Sequence, residues 1–195
     1  MTSITTDVPI DITGFSKTYG TKIAVDRLDL QVEKGEVFGF LGPNGAGKST
    51  TIRSILNFLT PSDGEISIFG LDSVRNSVAI KNHIGYLAGD ISLYDSMSGY
   101  QLFKYLTRLG KNTNWDYVND LSNRLQVSLQ AKIGTLSKGN KQKIGLIQAF
   151  MHRPKLLILD EPTSGLDPLM KQVFYEMVLE IKDFGNSVFI SSHDL

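Results

Sequence analysis

The run Gly42-Pro43-Asn44-Gly45-Ala46-Gly47-Lys48-Ser49, with Thr50 behind it, has the spacing G-x-x-x-x-G-K-[ST], and that spacing suits the binding of phosphate. Glycines at 42, 45 and 47 permit backbone conformations closed to other residues, so successive N–H groups can turn toward one set of anionic oxygens. A helix starting at Lys48 would add its unpaired first-turn amides and the positive end of its dipole. Lys48 is then placed to reach the β- and γ-phosphates of a nucleoside triphosphate, and the Ser49 hydroxyl to bind Mg²⁺. An ordinary glycine turn could carry the same letters. The apolar Val37–Leu41 before it and Thr51–Leu56 after it read as the strand and helix that distinguish a phosphate loop.

A second constellation is Asp160-Glu161, which closes the apolar run Leu156-Leu157-Ile158-Leu159. A carboxylate at the C-terminal tip of a strand beside a phosphate loop can hold Mg²⁺, usually through water, in the role of a Walker-B acid. Glu161, the next residue, stands where a carboxylate could polarise an attacking water as a general base. By themselves, two acids after a strand are an ordinary loop; beside a phosphate loop they acquire a chemical task.

These residues need a scaffold of alternating strands and helices. Ile10–Phe15 and Ile23–Val32 read as strands, with a turn over Lys17–Gly20 whose Tyr19 reads locally as a ring packed on a strand edge. Val37–Leu41 reads as a buried strand, and the helix after the loop should run from about Lys48 to Leu59, stopped by Pro61 and Gly64. Glu65–Phe69 alternates as a strand, Ser77–Asn82 reads as a short helix and Ile84–Leu87 as another strand. Two stretches of helical periodicity, Ser98–Leu109 and Asn114–Leu125, interrupt the alternation and read as an inserted helical subdomain over about 90–150. The alternation then resumes. A helix is expected over Ser137–Met151 with Ser137 as N-cap, a central strand over Lys155–Asp160, a helix opened by Asp167-Pro168 and running to about Asp183, and a strand over Ser187–Ser192.

Composition sets the outer bounds. With 195 residues, 41% of them apolar and 21% charged, the chain suffices for one well-buried domain and is short for two. Lysine plus arginine equals aspartate plus glutamate, for a net charge of zero, which argues against a nucleic-acid binder held by bulk electrostatics. There is no cysteine, so disulfides and thiolate metal sites are excluded and a reducing compartment fits. No apolar run approaches ~18 residues, and Met1–Pro9 lacks the basic and apolar regions of a signal peptide. The expectation is a soluble, cytoplasmic chain.

Taken together, the motifs resemble those of the nucleotide-binding subunit of an ATP-binding cassette transporter, over roughly Ile10 to Leu195. Leu136-Ser137-Lys138-Gly139-Asn140 resembles the family's signature L-S-G-G-Q, Ser164-Gly165-Leu166-Asp167 its D-loop, and His193, after Ser191-Ser192, its switch histidine. Tyr19 matches the aromatic that stacks on adenine. The resemblance implies a P-loop NTPase core with a mostly parallel sheet, an N-terminal antiparallel β subdomain and an inserted α-helical subdomain. It implies ATP and Mg²⁺ as cofactors, with Tyr19 and Gly42 through Thr50 binding the nucleotide, Ser49 and Asp160 the metal, and Glu161, Lys48 and His193 in catalysis. In the family Ser137 and Gly139 act in trans and complete the site of a second nucleotide-binding subunit. Two copies would therefore enclose two ATP molecules head to tail. A separate membrane-spanning permease would be the other partner, holding the chain peripherally on the inner face of the cell membrane, and no nucleic acid is expected.

Three departures bear on those expectations. Where the family often carries a glutamine after the strand Ile84–Leu87, this chain has Gly89, so either water fills the place or Asp90 takes over the metal or coupling contact. In the signature, Lys138 and Asn140 replace glycine and glutamine, while Ser137 and Gly139 are kept. The family normally continues past the switch histidine with further strands and a helix, so the expectation is a single domain, 1–195, truncated there with its C-terminal elements missing. The leading reading is a Mg²⁺-dependent ATPase subunit of a bacterial exporter, driven by ATP-dependent closure of the dimer. An ATPase of the same class acting on nucleic acid or the ribosome, and a nucleotide-binding regulator that does not hydrolyse, are the alternatives.

Overall fold

The computed structural model describes residues 8–109 and 113–193. Residues 1–7, in the stretch read above for a leader, and 194–195, at the end of the span of resemblance, lie outside the described residues. Two four-stranded sheets organise the chain. The first is antiparallel and built from β1 (Ile10–Tyr19), β2 (Lys22–Val32), β4 (Asp63–Ile68) and β5 (Leu71–Asp72), in the order β2-β1-β4-β5. The second is wholly parallel, with β3 (Val37–Leu41), β8 (Ser187–Ser192), β7 (Leu156–Asp160) and β6 (Ile84–Leu87) in the order β3-β8-β7-β6.

Helices cover both faces of the parallel sheet. Because side chains alternate along a strand, Leu157, Leu159 and Val188 face a core shared with Ile144 and Ile147, while Leu156, Ile158 and Phe189 face Ile52, Ile55 and the antiparallel sheet's Ile12 and Ile66. The second group brings in α1 (Lys48–Ile55), which lies between the sheets. The short α2 (Ser77–Lys81) leads into β6. Between β6 and β7 come α3 (Gly99–Arg108), α4 (Trp115–Arg124) and α5 (Lys138–Phe150), and α6 (Pro168–Asp183) joins β7 to β8. Buried residues of α3 to α6, among them Phe103, Leu121 and Phe174, pack into the first core.

Local chemistry sets most helix ends. Ser98 opens α3 with a reciprocal capping box to Gln101, Ser137 caps α5 by accepting from the Asn140 amide at 3.3 Å, and Asp167 caps α6 by accepting from Met170 at 3.0 Å. Helix α1 stops at Ile55, a turn before the expected Leu59. Asn57 takes a left-handed φ of 51°, its amide donates to Ser54 and the Phe58 amide donates back to Arg53 at 2.7 Å. That pair of bonds closes the helix before Pro61 is reached.

Two other expectations change. Lys17–Tyr19 continue β1 instead of turning, and the hairpin bend narrows to Gly20-Thr21, with Tyr19 paired to Lys22. Strand β3 is an edge strand rather than a buried one. It pairs with β8 alone, and Leu41 is 53% exposed. The fully buried strand of the sheet is β7, which has neighbours on both sides and helices on both faces.

Candidate functional site: a phosphate loop facing paired carboxylates

The loop after β3 is shaped by its glycines. Gly47 sits at the N-terminus of α1 with φ 88°, and a Cβ there would lie 2.6 Å from the Ala24 carbonyl oxygen and 2.9 Å from Val25 Cγ2. Only glycine fits both the conformation and the space. The turn is closed by the Ala46 amide donating to the Pro43 carbonyl at 3.1 Å, and the loop is tied to β8 by the Gly42 amide donating to Ser192 at 3.2 Å. In the first turn of α1 the amides of Lys48, Ser49 and Thr50 have no intrahelical acceptor, whereas Thr51 already donates to Gly47.

These amides open onto a cleft of about 340 Å³ lined by Tyr19, Lys22, Asn44, Lys48, Ser49 and Glu161, with Gly45, Gly47 and Thr50 also on its wall. The structure thus brings Tyr19, half-exposed at the end of β1, to the same cleft as the phosphate loop. Gly42, Pro43 and Ala46 belong to the loop but do not line the cleft. Lys48 is buried, and its ammonium donates to the Gly42 carbonyl at 2.5 Å and the Pro43 carbonyl at 3.3 Å.

The acids arrive at the tip of β7. Asp160 is 4% exposed and accepts from the Ser191 hydroxyl of β8 at 2.5 Å. Glu161 takes a left-handed φ of 50°, with its amide donating to Ser191 Oγ at 3.1 Å. Its carboxylate is shared between two cationic or polar groups, with Oε1 lying 3.5 Å from Lys48 Nζ and Oε2 lying 2.7 Å from His193 Nδ1. A carboxylate only accepts, so Nδ1 carries the proton in that bond. Nearby, burial pushes the Tyr86 phenol above its ordinary range, and the charge of Asp160 pushes it further.

Gly89 lies beside the buried acid, where a Cβ would be 3.3 Å from Asp160 Oδ2. Asp90 lines a neighbouring cleft with Leu136, Lys138 and Lys141. Ser137 and Gly139 are at the N-terminus of α5, where a Cβ on Gly139 would lie 2.6 Å from the Gly165 carbonyl oxygen. They do not line the cleft that holds Lys48. The sequence reading passed over Gln142. It is buried on α5, and its amide nitrogen donates to the Pro162 carbonyl at 2.8 Å. Its signal was an uncharged polar side chain at helical spacing from Gly145, Leu146 and Ala149, on a stripe that is otherwise apolar toward the C-terminal end of α5.

The donors fit Mg²⁺. The Ser49 hydroxyl and the Asp160 carboxylate are hard oxygen ligands, and Asp160 is held in place by Ser191. No group of three or more histidine or acidic side chains able to hold a metal occurs among the described residues. A cation that keeps waters and takes phosphate oxygens as ligands suits such a sparse protein contribution.

The profile of a family described as ABC transporter matches residues 25–164. The chain is 42% identical over 183 residues to the uncharacterized ABC transporter ATP-binding protein YhaQ of Bacillus subtilis, covering 91% of this chain and 60% of the relative. It is 36% identical over 193 residues to the bacitracin transport ATP-binding protein BcrA of Bacillus licheniformis, covering 95% and 62%. The chain therefore spans about 60% of the length of these curated relatives. A solved ATP-binding subunit of an ABC transporter superposes with a TM-score of 0.85 at 29% identity, over 95% of this chain and 80% of that one.

Proposed function

The chain belongs to the ABC transporter family, and from that premise we propose that it binds ATP with Mg²⁺, hydrolyses it, and powers a separate membrane-spanning permease that exports its cargo. The observation that carries this reading is the position of Glu161, which lines the cleft and whose carboxylate bridges Lys48 of the phosphate loop and His193.

Each residue then has a task. The first-turn amides of α1 and the loop backbone gather the triphosphate oxygens, and Tyr19 offers its ring to the adenine. Lys48 exchanges the loop carbonyls for the β- and γ-phosphates, where its charge offsets the charge developing in the transition state. Glu161 accepts a proton from the attacking water, and His193 fixes the carboxylate that does so. Ser49 and Asp160 would hold Mg²⁺, which when bound neutralises charge between the β- and γ-phosphates. Ser137 and Gly139 serve the triphosphate of a second copy, so that ATP closes a head-to-tail dimer and hydrolysis reopens it. Asp90 supplies the coupling contact in place of the side chain that Gly89 lacks.

No helix among the described residues is long and apolar enough to cross a membrane, and this reading assigns the transport path to a separate permease. A groove of about 280 Å³ lined by Leu56, Phe58, Tyr86, Leu106, Leu109 and Met151 supports its docking there. Phe58 and Leu109 are exposed large apolar side chains, and Tyr86 leads along β6 to Gly89 and the buried acid. The likeness to a bacitracin transport subunit supports a role in transport, and export is the direction proposed.

Purified protein should bind ATP in a Mg²⁺-dependent way and release phosphate, and Glu161→Gln should bind without turnover. Folded wild-type protein with no affinity for ATP would end this reading.

A further inference from the structure

Gln142 is a buried polar side chain, close to the catalytic segment, that the chemistry above leaves unused. It is 3% exposed, and its amide nitrogen donates to two consecutive carbonyls, Pro162 at 2.8 Å and, more weakly, Glu161 at 3.4 Å. Those carbonyls belong to the segment that carries the general base. Glu161 is held in a left-handed backbone conformation that persists only where its surroundings impose it. From one side β8 binds its amide through Ser191, and from the other α5 binds its carbonyl through Gln142.

The same helix touches the same segment at a second point. Gly139, in the first turn of α5, packs so closely on the Gly165 carbonyl that a Cβ would lie 2.6 Å from it. Between these contacts the segment is braced internally by the Ser164 amide donating to Glu161 and the Leu166 amide donating to Thr163, each at 3.2 Å. A shift of the α5 N-terminus therefore meets Glu161 through a buried amide and a backbone contact, neither of which can give far.

We propose that Gln142 is a positioning residue that couples the α5 N-terminus to the catalytic carboxylate of its own subunit. This rests on the ATPase reading above. There, Ser137 and Gly139 engage the triphosphate held by a second copy, so occupancy of one site sets the aim of Glu161 in the other. Packing alone would be served equally by an apolar side chain of the same length, which makes the donor atom the quantity to test.

Gln142→Met keeps the length and removes the donor. Without nucleotide, the amides of Ser164 and Leu166 should exchange hydrogen about tenfold faster, with β7 unchanged. In steady-state hydrolysis kcat should fall about 10- to 100-fold at unchanged KM, and any cooperativity in ATP should drop toward a Hill coefficient of one. Gln142→Asn, one methylene shorter, is the gentler variant if methionine prevents folding, and should move the same readouts in the same direction. Unchanged kcat in an active, folded variant would overturn the proposal. So would a fall in kcat accompanied by faster exchange throughout β7, which marks general loosening. Wild-type protein without Mg²⁺-dependent hydrolysis would instead sink the ATPase reading, and this inference with it.

Discussion

Glu161 Oε2 lies 2.7 Å from His193 Nδ1, while Oε1 of the same carboxylate lies 3.5 Å from the Lys48 ammonium. One side chain thus joins the tip of β7, the end of β8 and the start of α1. A carboxylate held at both oxygens has a fixed direction, which is what a general base needs before water arrives.

From this follows the expected separation of binding from turnover. Glu161→Gln keeps the shape and loses the base, so ATP affinity should persist while kcat falls roughly 10²- to 10⁴-fold. His193→Ala leaves the base in place with one support removed, and should lower kcat by less than Glu161→Gln does. Equilibrium nucleotide binding and phosphate release on the same preparations decide it, and full turnover in Glu161→Gln would assign the base elsewhere.

Gly47 is the position where the loop tolerates least. An alanine would combine a left-handed φ of 88° with a 2.6 Å approach to the Ala24 carbonyl. Gly47→Ala should cost about 1–3 kcal/mol in stability and most of the ATP affinity. Thermal melts with and without nucleotide measure both. A variant that melts like wild type and is still stabilised by ATP would mean that the loop does not bind phosphate in this shape.

Ser191→Ala removes the hydroxyl that donates to the buried Asp160 and accepts from the Glu161 amide. The Glu161 amide keeps the Ser191 carbonyl at 3.3 Å, so the loss falls on the buried carboxylate and should destabilise the protein by about 1–3 kcal/mol. Urea unfolding reports the loss, and an unchanged midpoint would show that water replaces the hydroxyl at no cost.

Alkaline stability should depend on two phenols. Burial raises Tyr86, reinforced by Asp160, and burial also raises Tyr117 despite the opposing charge of Arg153. In both, the folded protein keeps a proton that the unfolded chain gives up near the ordinary value of about 10. Their contribution is therefore complete below about pH 10 and is lost as pH rises beyond it. Tyr86→Phe and Tyr117→Phe should each flatten that alkaline loss. An identical slope in both variants would contradict the assigned cause.

What the sequence by itself determined is what short stretches of chain settle alone. Gly42 through Ser49 is a contiguous phosphate loop because each glycine acts on its own backbone, and Ser137 and Asp167 announced the starts of α5 and α6 because a cap bonds within three residues. The apolar run ending at Asp160 gave its strand in the same way. Tertiary structure decided everything that depends on strand order and on pairing between distant residues. Leu41 is exposed because β3 has one neighbour, while β7, with a similar run of apolar residues, is buried because it has two. Glu161 meets Lys48 and His193, and Gln142 meets Pro162, only because parallel crossovers bring the ends of β3, β7 and β8 to one edge with α5 against them. No local pattern encodes those meetings. They follow from which faces must be buried together, and that is a property of the whole chain.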